Sequence, residues 1–160
     1  MIKKNTLYIK EILDSQQNKY PLLFVDKVKI IVPGKKVEAT KNFTYNEWFF
    51  PAHFYDEPNV PGFIQIECLA QAFIMTFLSK KEFKNNKTNF YNINNAKFRK
   101  KIVPGDVLKI KATLKSLNRG IAQGYSEGSV NGEFACSGDF IVTIPSVFNK
   151  FIPKNKKNKI

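Results

Sequence analysis

The chain has 160 residues, 43% hydrophobic and 14% aromatic, which fits one globular domain with a single core and excludes a disordered chain. Its formal net charge of +13 favours acidic partners, but no base-reading motif accompanies that charge, so nucleic acid is not the partner expected. Cys68 and Cys136 form no CxxC or Cys/His cluster, no run of about 18 apolar residues predicts a membrane span, and MIKKNTLYIKEIL lacks the apolar stretch of a signal peptide. A reduced, cytoplasmic protein is expected.

Residues 6–17 space Leu7, Ile9, Ile12 and Leu13 at roughly helical intervals and predict a short helix, which Tyr20-Pro21 stops. Leu22 to Val32 reads as a strand, Pro33-Gly34 as a turn and Lys35 to Tyr45 as a second strand. Trp48-Phe49-Phe50 suggests a short helical turn. From Gly62 to about Leu78 the chain is apolar on nearly every side of a helix, so this helix should be buried. Four strands follow, Phe90 to Lys100, Asp106 to Leu117, Ile121 to Val130 and Glu133 to Ile144, and Asn131-Gly132 is a strong hairpin signal between the last two. One buried helix against a long antiparallel sheet is an α+β architecture. Residues 1–147 are expected to form the single domain. From Phe148 onward the chain holds five lysines and no acid, so 148–160 reads as a basic, disordered tail.

The chemistry-bearing segment is FFPAHFYDEPNVPGFIQIECLAQAF. The only histidine, His53, lies fourteen positions before Glu67, and Pro61-Gly62 opens the apolar helix between them. A carboxyl group in such a helix is costly to bury charged and is usually protonated or paired. A neutral carboxylic acid near an imidazole suits proton transfer at neutral pH. A structural histidine and a solvated glutamate are the competing reading, and spacing alone favours it. Asp56 and Glu57 beside His53 crowd one loop without a second ligand cluster, so no metal site is expected.

The segment resembles the active-site region of the FabZ-type beta-hydroxyacyl-acyl-carrier-protein dehydratases. That family has a His-Phe pair, then Pro-x-x-Pro-Gly, then Leu/Ile-Gln-Ile-Glu-x-Leu-Ala-Gln. Here these are His53-Phe54, Pro58 to Gly62 and Ile64 to Gln71. Tyr20-Pro21-Leu22-Leu23-Phe24-Val25-Asp26, Asn95-Ala96-Lys97-Phe98-Arg99 and Val103-Pro104-Gly105-Asp106 match further family motifs, in order, so the resemblance spans about residues 7 to 146. The chain departs from the pattern at Ala52, where Gly is usual, at Tyr55-Asp56, where Pro-Gly is common, at Val60, a frequent Met, and at Asn18-Lys19, often His-Arg.

The resemblance implies the hotdog fold, a sheet wrapped around the central helix. It implies dehydration of a (3R)-3-hydroxyacyl chain, carried on the phosphopantetheine arm of acyl carrier protein, to a trans-2-enoyl thioester in fatty acid biosynthesis. It implies no cofactor beyond that arm. His53 is then the base at C2, Glu67 the acid at the leaving hydroxyl, and the Gly62 backbone N–H the donor to the developing oxyanion. Phe54 and Pro61 support the site. Gln71, one turn after Glu67, either holds the carboxyl group or is an ordinary packing amide. The family pairs the His of one subunit with the acid of the next, so a homodimer with shared sites is implied, with assembly into a hexamer left open. Lys97, Arg99, Lys100 and Lys101 are the candidate docking cluster for the acidic carrier protein, split between two faces if strand alternation continues through them. A hotdog thioesterase, a non-catalytic acyl-thioester binding protein and a dehydratase-isomerase are the alternatives. The isomerase branch resembles the chain less, because its acid is typically Asp.

Overall fold

A computed structural model describes residues 5–153. The elements in chain order are β1 (Thr6–Leu7), α1 (Ile9–Ser15), β2 (Lys27–Val32), β3 (Lys36–Asn42), a 3-10 turn (Phe50–Ala52), α2 (Gly62–Leu78), β4 (Asn89–Phe98), β5 (Val107–Asn118), β6 (Ile121–Val130), β7 (Glu133–Thr143) and α3 (Pro145–Phe148). The strands form one antiparallel sheet in the order β1-β2-β3-β5-β6-β7-β4.

Helix α2 packs across this sheet, touching β3, β5, β6 and β7. Its sequence, GFIQIECLAQAFIMTFL, leaves no polar stripe to face water, and thirteen of its seventeen residues are buried. Phe73 stacks on Phe140 of β7, with ring centroids 6.0 Å apart. Gly124 of β6 lets the sheet close down on the helix, because a Cβ there would lie 2.3 Å from both the Phe73 ring and the Thr113 carbonyl oxygen. Tight turns join the long strands. Arg119 and Gly120 (φ 50° and 79°) and Asn131 and Gly132 (φ 52° and 82°) occupy the left-handed region that two-residue hairpins require.

Several boundaries differ from expectation for identifiable reasons. The first helix starts only at Ile9, because Thr6 and Leu7 pair with Lys29 and Val28 as an edge strand. Strand β2 begins at Lys27 and not at Leu22. The peptide groups of Leu22 and Phe24 instead bond the Gln71 side chain, which replaces a ladder partner. Strand β4 ends at Phe98, so of the four basic candidates only Lys97 lies in the strand, and the expected alternation of all four across a sheet does not occur. At the C-terminus, Phe148 closes the turn of α3 with a 2.8 Å bond to the Ile144 carbonyl, and the Phe151 ring lies 5.6 Å from the Arg119 guanidinium. Phe148 and Phe151 therefore make contacts with the fold, and residues 154–160 of the expected tail lie outside the described residues.

Strand β4 occupies the opposite edge from β1 and pairs only with β7. Every one of its residues is exposed, including Phe90, Tyr91, Ile93 and Phe98. An apolar edge strand left open in this way is unusual for a monomer.

Candidate active site

The 3-10 turn delivers His53 as its C-cap, and the backbone then loops back on itself. The Asn59 N–H donates to the His53 carbonyl at 2.9 Å, while His53 Nδ1 lies 3.0 Å from the Asn59 carbonyl oxygen. A carbonyl can only accept, so Nδ1 carries a proton, which leaves Nε2 as the ring nitrogen able to act as a base. Phe54 stacks on the imidazole at 4.3 Å across a cis peptide bond. Glu57, in the same loop, forms an ion pair with Lys101, which ties the loop to the β4–β5 connection.

Pro61 caps α2, and its carbonyl accepts from both the Ile64 and Gln65 N–H groups at 3.1 Å. Gly62 follows as the first helical residue, where the backbone N–H has no intrahelical partner and lies at the positive end of the helix dipole. The Phe98 ring lies 3.4 Å from where a Cβ would stand, an ordinary packing distance.

Glu67 projects from the second turn of α2, partly buried. Loss of hydration pushes its carboxyl above the ordinary carboxylate value, and a hydrogen bond from Gln71 opposes that shift. Gln71 Nε2 donates to Glu67 Oε1 at 2.7 Å and to the Leu22 carbonyl at 2.7 Å, while its own oxygen accepts from the Phe24 N–H at 2.8 Å. Of the two roles considered for Gln71, the carboxyl-holding one matches this geometry, and the amide packs the core as well. A second donor has no sequence signal: Asn18 Nδ2 reaches the same Oε1 at 3.2 Å from a loop 49 positions away.

Glu67 borders two cavities. One, of about 460 Å³, is almost wholly apolar and is formed with Leu22, Phe24, Phe63, Ile64, Ile66 and Phe90. The other, of about 90 Å³, includes the Asn18, Gln71 and Thr88 side chains. His53 borders neither, so within one chain the two candidate proton-transfer groups do not share a cavity at the carboxyl group.

The basic cluster is more committed to the fold than its sequence suggests. Lys100 pairs with Glu133, Lys101 pairs with Glu57, and the Arg99 guanidinium donates to its neighbour's Phe98 carbonyl. Lys97 remains on the exposed edge strand, near Asp139. Among the described residues, no group of three or more His, Cys, Asp or Glu side chains is placed to hold a metal ion.

Residues 17–139 match the FabA-like domain family. The chain is 43% identical over 138 residues to the 3-hydroxyacyl-acyl-carrier-protein dehydratase FabZ of Clostridium tetani, and 43% identical to that of Clostridium novyi; each match covers 86% of this chain and 97% of the relative. The chain belongs to the FabZ-type dehydratase family. As a FabZ-type chain it also shares its fold with more distant proteins. It superposes on a chain of the dehydratase heterocomplex ApeI:P from Xenorhabdus doucetiae with a TM-score of 0.72 at 18% identity, over 89% of this chain and 97% of that one. A hypothetical thioesterase from Streptococcus pneumoniae, solved with coenzyme A, gives 0.56 at 15% identity, over 71% and 80%. These likenesses carry the fold alone, and the fold is the hotdog arrangement that the resemblance implied.

Proposed function

We propose that this FabZ-type dehydratase removes water from (3R)-3-hydroxyacyl-acyl-carrier protein in fatty acid biosynthesis, with His53 as base and Glu67 as acid. The observation that carries the assignment of roles is the Glu67 carboxyl, held in the wall of an apolar cavity and biased toward its neutral form. A neutral acid at that position can give a proton to a leaving hydroxyl, and the cavity beside it suits an acyl chain. The electron flow balances within the substrate. Nε2 of His53 takes the C2 proton, and negative charge moves toward the thioester oxygen, where the Gly62 N–H donates. As the C2–C3 double bond forms, the C3–O bond breaks and the hydroxyl leaves with the Glu67 proton as water. The histidine's gained proton then returns the carboxylate to its acid form.

The separation of His53 from the Glu67 cavities supports a site shared between two copies of the chain. The open apolar edge of β4 and the exposed Phe63 at the start of α2 support the same reading, since both would be covered in a homodimer. Phe54 would hold the imidazole plane, and Pro61 would fix the helix start. Lys97 and Arg99, with less from the ion-paired Lys100 and Lys101, would attract the acidic carrier protein. No described helix is long and apolar enough to cross a membrane, and the buried free thiols of Cys68 and Cys136 fit a reducing cytoplasm. The substrate needs no cofactor beyond the carrier's phosphopantetheine arm.

Incubation with 3-hydroxyacyl- and crotonyl-carrier-protein thioesters, followed by mass spectrometry, tests the reaction. Interconversion of the two by loss or gain of water is expected. Release of free carrier thiol without that interconversion would make the protein a thioesterase instead.

A further inference from the structure

Glu67 Oε1 accepts two hydrogen bonds, from Gln71 Nε2 at 2.7 Å and from Asn18 Nδ2 at 3.2 Å, and among the described residues no donor reaches Oε2. The orientation of the Gln71 amide is fixed, because its oxygen must face the Phe24 N–H. Asn18 must likewise turn its nitrogen toward Glu67, since its oxygen there would set two acceptors against each other. In a neutral carboxylic acid the oxygen that accepts is the carbonyl and the other bears the proton. We propose that Asn18 is a positioning residue for Glu67, acting with Gln71 to commit Oε1 to accepting and so reserve Oε2 for the proton given to the substrate.

Asn18 is well placed to hold this role because its neighbours are anchored. The Gln17 side chain donates to the Asn85 carbonyl at 2.9 Å, the Asn85 N–H donates to the Ser15 carbonyl at 2.8 Å, and Lys19 Nζ donates to the Leu13 carbonyl at 2.7 Å. The loop is therefore held on both sides of Asn18. Gln71 binds the carboxyl from its own helix, whereas Asn18 binds it from across the small cavity, so together they restrict rotation about the last side-chain bond. The inference rests on Glu67 acting as the acid. Among the described residues, no other ionisable side chain lines either cavity. Cys68, next along α2, is fully buried with its thiol pushed well above the usual range, so it stays neutral.

The test is a carbon-13 NMR titration of the glutamate carboxyls in the whole protein, with the Glu67 signal assigned by its loss in Glu67→Gln. Spectra are taken in a His53→Ala background, which removes the imidazole's own titration. A donor stabilises the carboxylate form, so Asn18→Ala should raise the Glu67 midpoint, and Asn18→Asp, equal in shape but with a like charge, should raise it further. With His53 intact, each Asn18 variant should lower kcat about three- to tenfold, the scale of one hydrogen bond, with a smaller change in KM. A side chain that only packs would leave the Glu67 midpoint where it was, and an unmoved midpoint in folded Asn18→Ala overturns the proposal. If Asn18→Ala does not fold, Asn18→Leu, similar in shape but without a donor or a charge, gives the same reading. A raised midpoint with unchanged kcat would instead overturn Glu67 as the acid, and with it any part for Asn18 in the reaction.

Discussion

Gln71 joins Glu67 to the backbone of the Leu22–Phe24 segment: one side-chain amide bonds the carboxyl group, the Leu22 carbonyl and the Phe24 N–H at 2.7, 2.7 and 2.8 Å. The candidate acid and the loop that shapes its cavity are thus fixed by a single buried residue.

Replacing Gln71 by Leu should therefore weaken the fold as well as the site. The Phe24 N–H is buried and would lose its partner, an orphaning that costs about 1–3 kcal/mol. A drop of about 2 kcal/mol in unfolding free energy is expected, read from the urea midpoint at unchanged slope. A Gln71→Leu protein of parental stability would show that Phe24 finds another acceptor.

His53→Ala and Glu67→Gln should each lower turnover by at least about a hundredfold, the scale of a positioned acid or base, while folding and dimerisation persist. Mixing the two inactive proteins under subunit exchange should restore part of the activity, because one site of each mixed dimer regains an intact pair. Proven exchange without recovery would place both groups within a single chain.

The same Glu67→Gln change should stabilise the protein, with a dependence on pH. The folded pKa of Glu67 is raised above its unfolded value by burial. The folded state therefore binds that proton more tightly, and stability present below the unfolded value, about 4.3, is lost as pH rises through the folded value. Glutamine has no such loss. Its melting temperature should match the parent's at about pH 4 and exceed it at about pH 8. Equal melting temperatures at both values would mean that the carboxyl is not penalised by burial.

Charge reversal at Lys97 and Arg99 should raise KM for carrier-linked substrate, with a salt-dependent effect, and spare turnover of a small N-acetylcysteamine thioester. Lys101→Glu should behave differently, because Lys101 pairs with Glu57 in the loop that bears His53. Its loss should lower turnover of both substrates. Equal losses from the Lys97 and Arg99 reversal would assign that pair to the fold and not to docking.

What could be read from the chain was what short-range pattern encodes. The apolar run from Gly62 to Leu78 has no polar stripe, so its burial and both ends were legible, and Asn131-Gly132 marks its hairpin because few other pairs take two left-handed conformations. Leu22 to Asp26 has strand composition, but the Leu22 carbonyl and the Phe24 N–H bond Gln71, a partner 47 to 49 positions distant. Asn18 was seen only as a departure from a motif, because a loop amide has no periodicity and its role exists only once α2 is in place. The ion pairs of the basic cluster were not legible because Glu57 and Glu133, which engage Lys101 and Lys100, are far away in sequence.

The order of the strands sets a constraint on how the chain can be made. Helix α2 ends at Leu78, but three of the five strands that touch it, β5, β6 and β7, run from Val107 to Thr143. During synthesis the most apolar segment of the protein is complete while most of its cover is still to be translated, a delay of seconds at about 5–20 residues per second. Nascent chains halted after β4 should therefore be captured by holdase chaperones or aggregate, and release of β7 should be the event that ends this exposure.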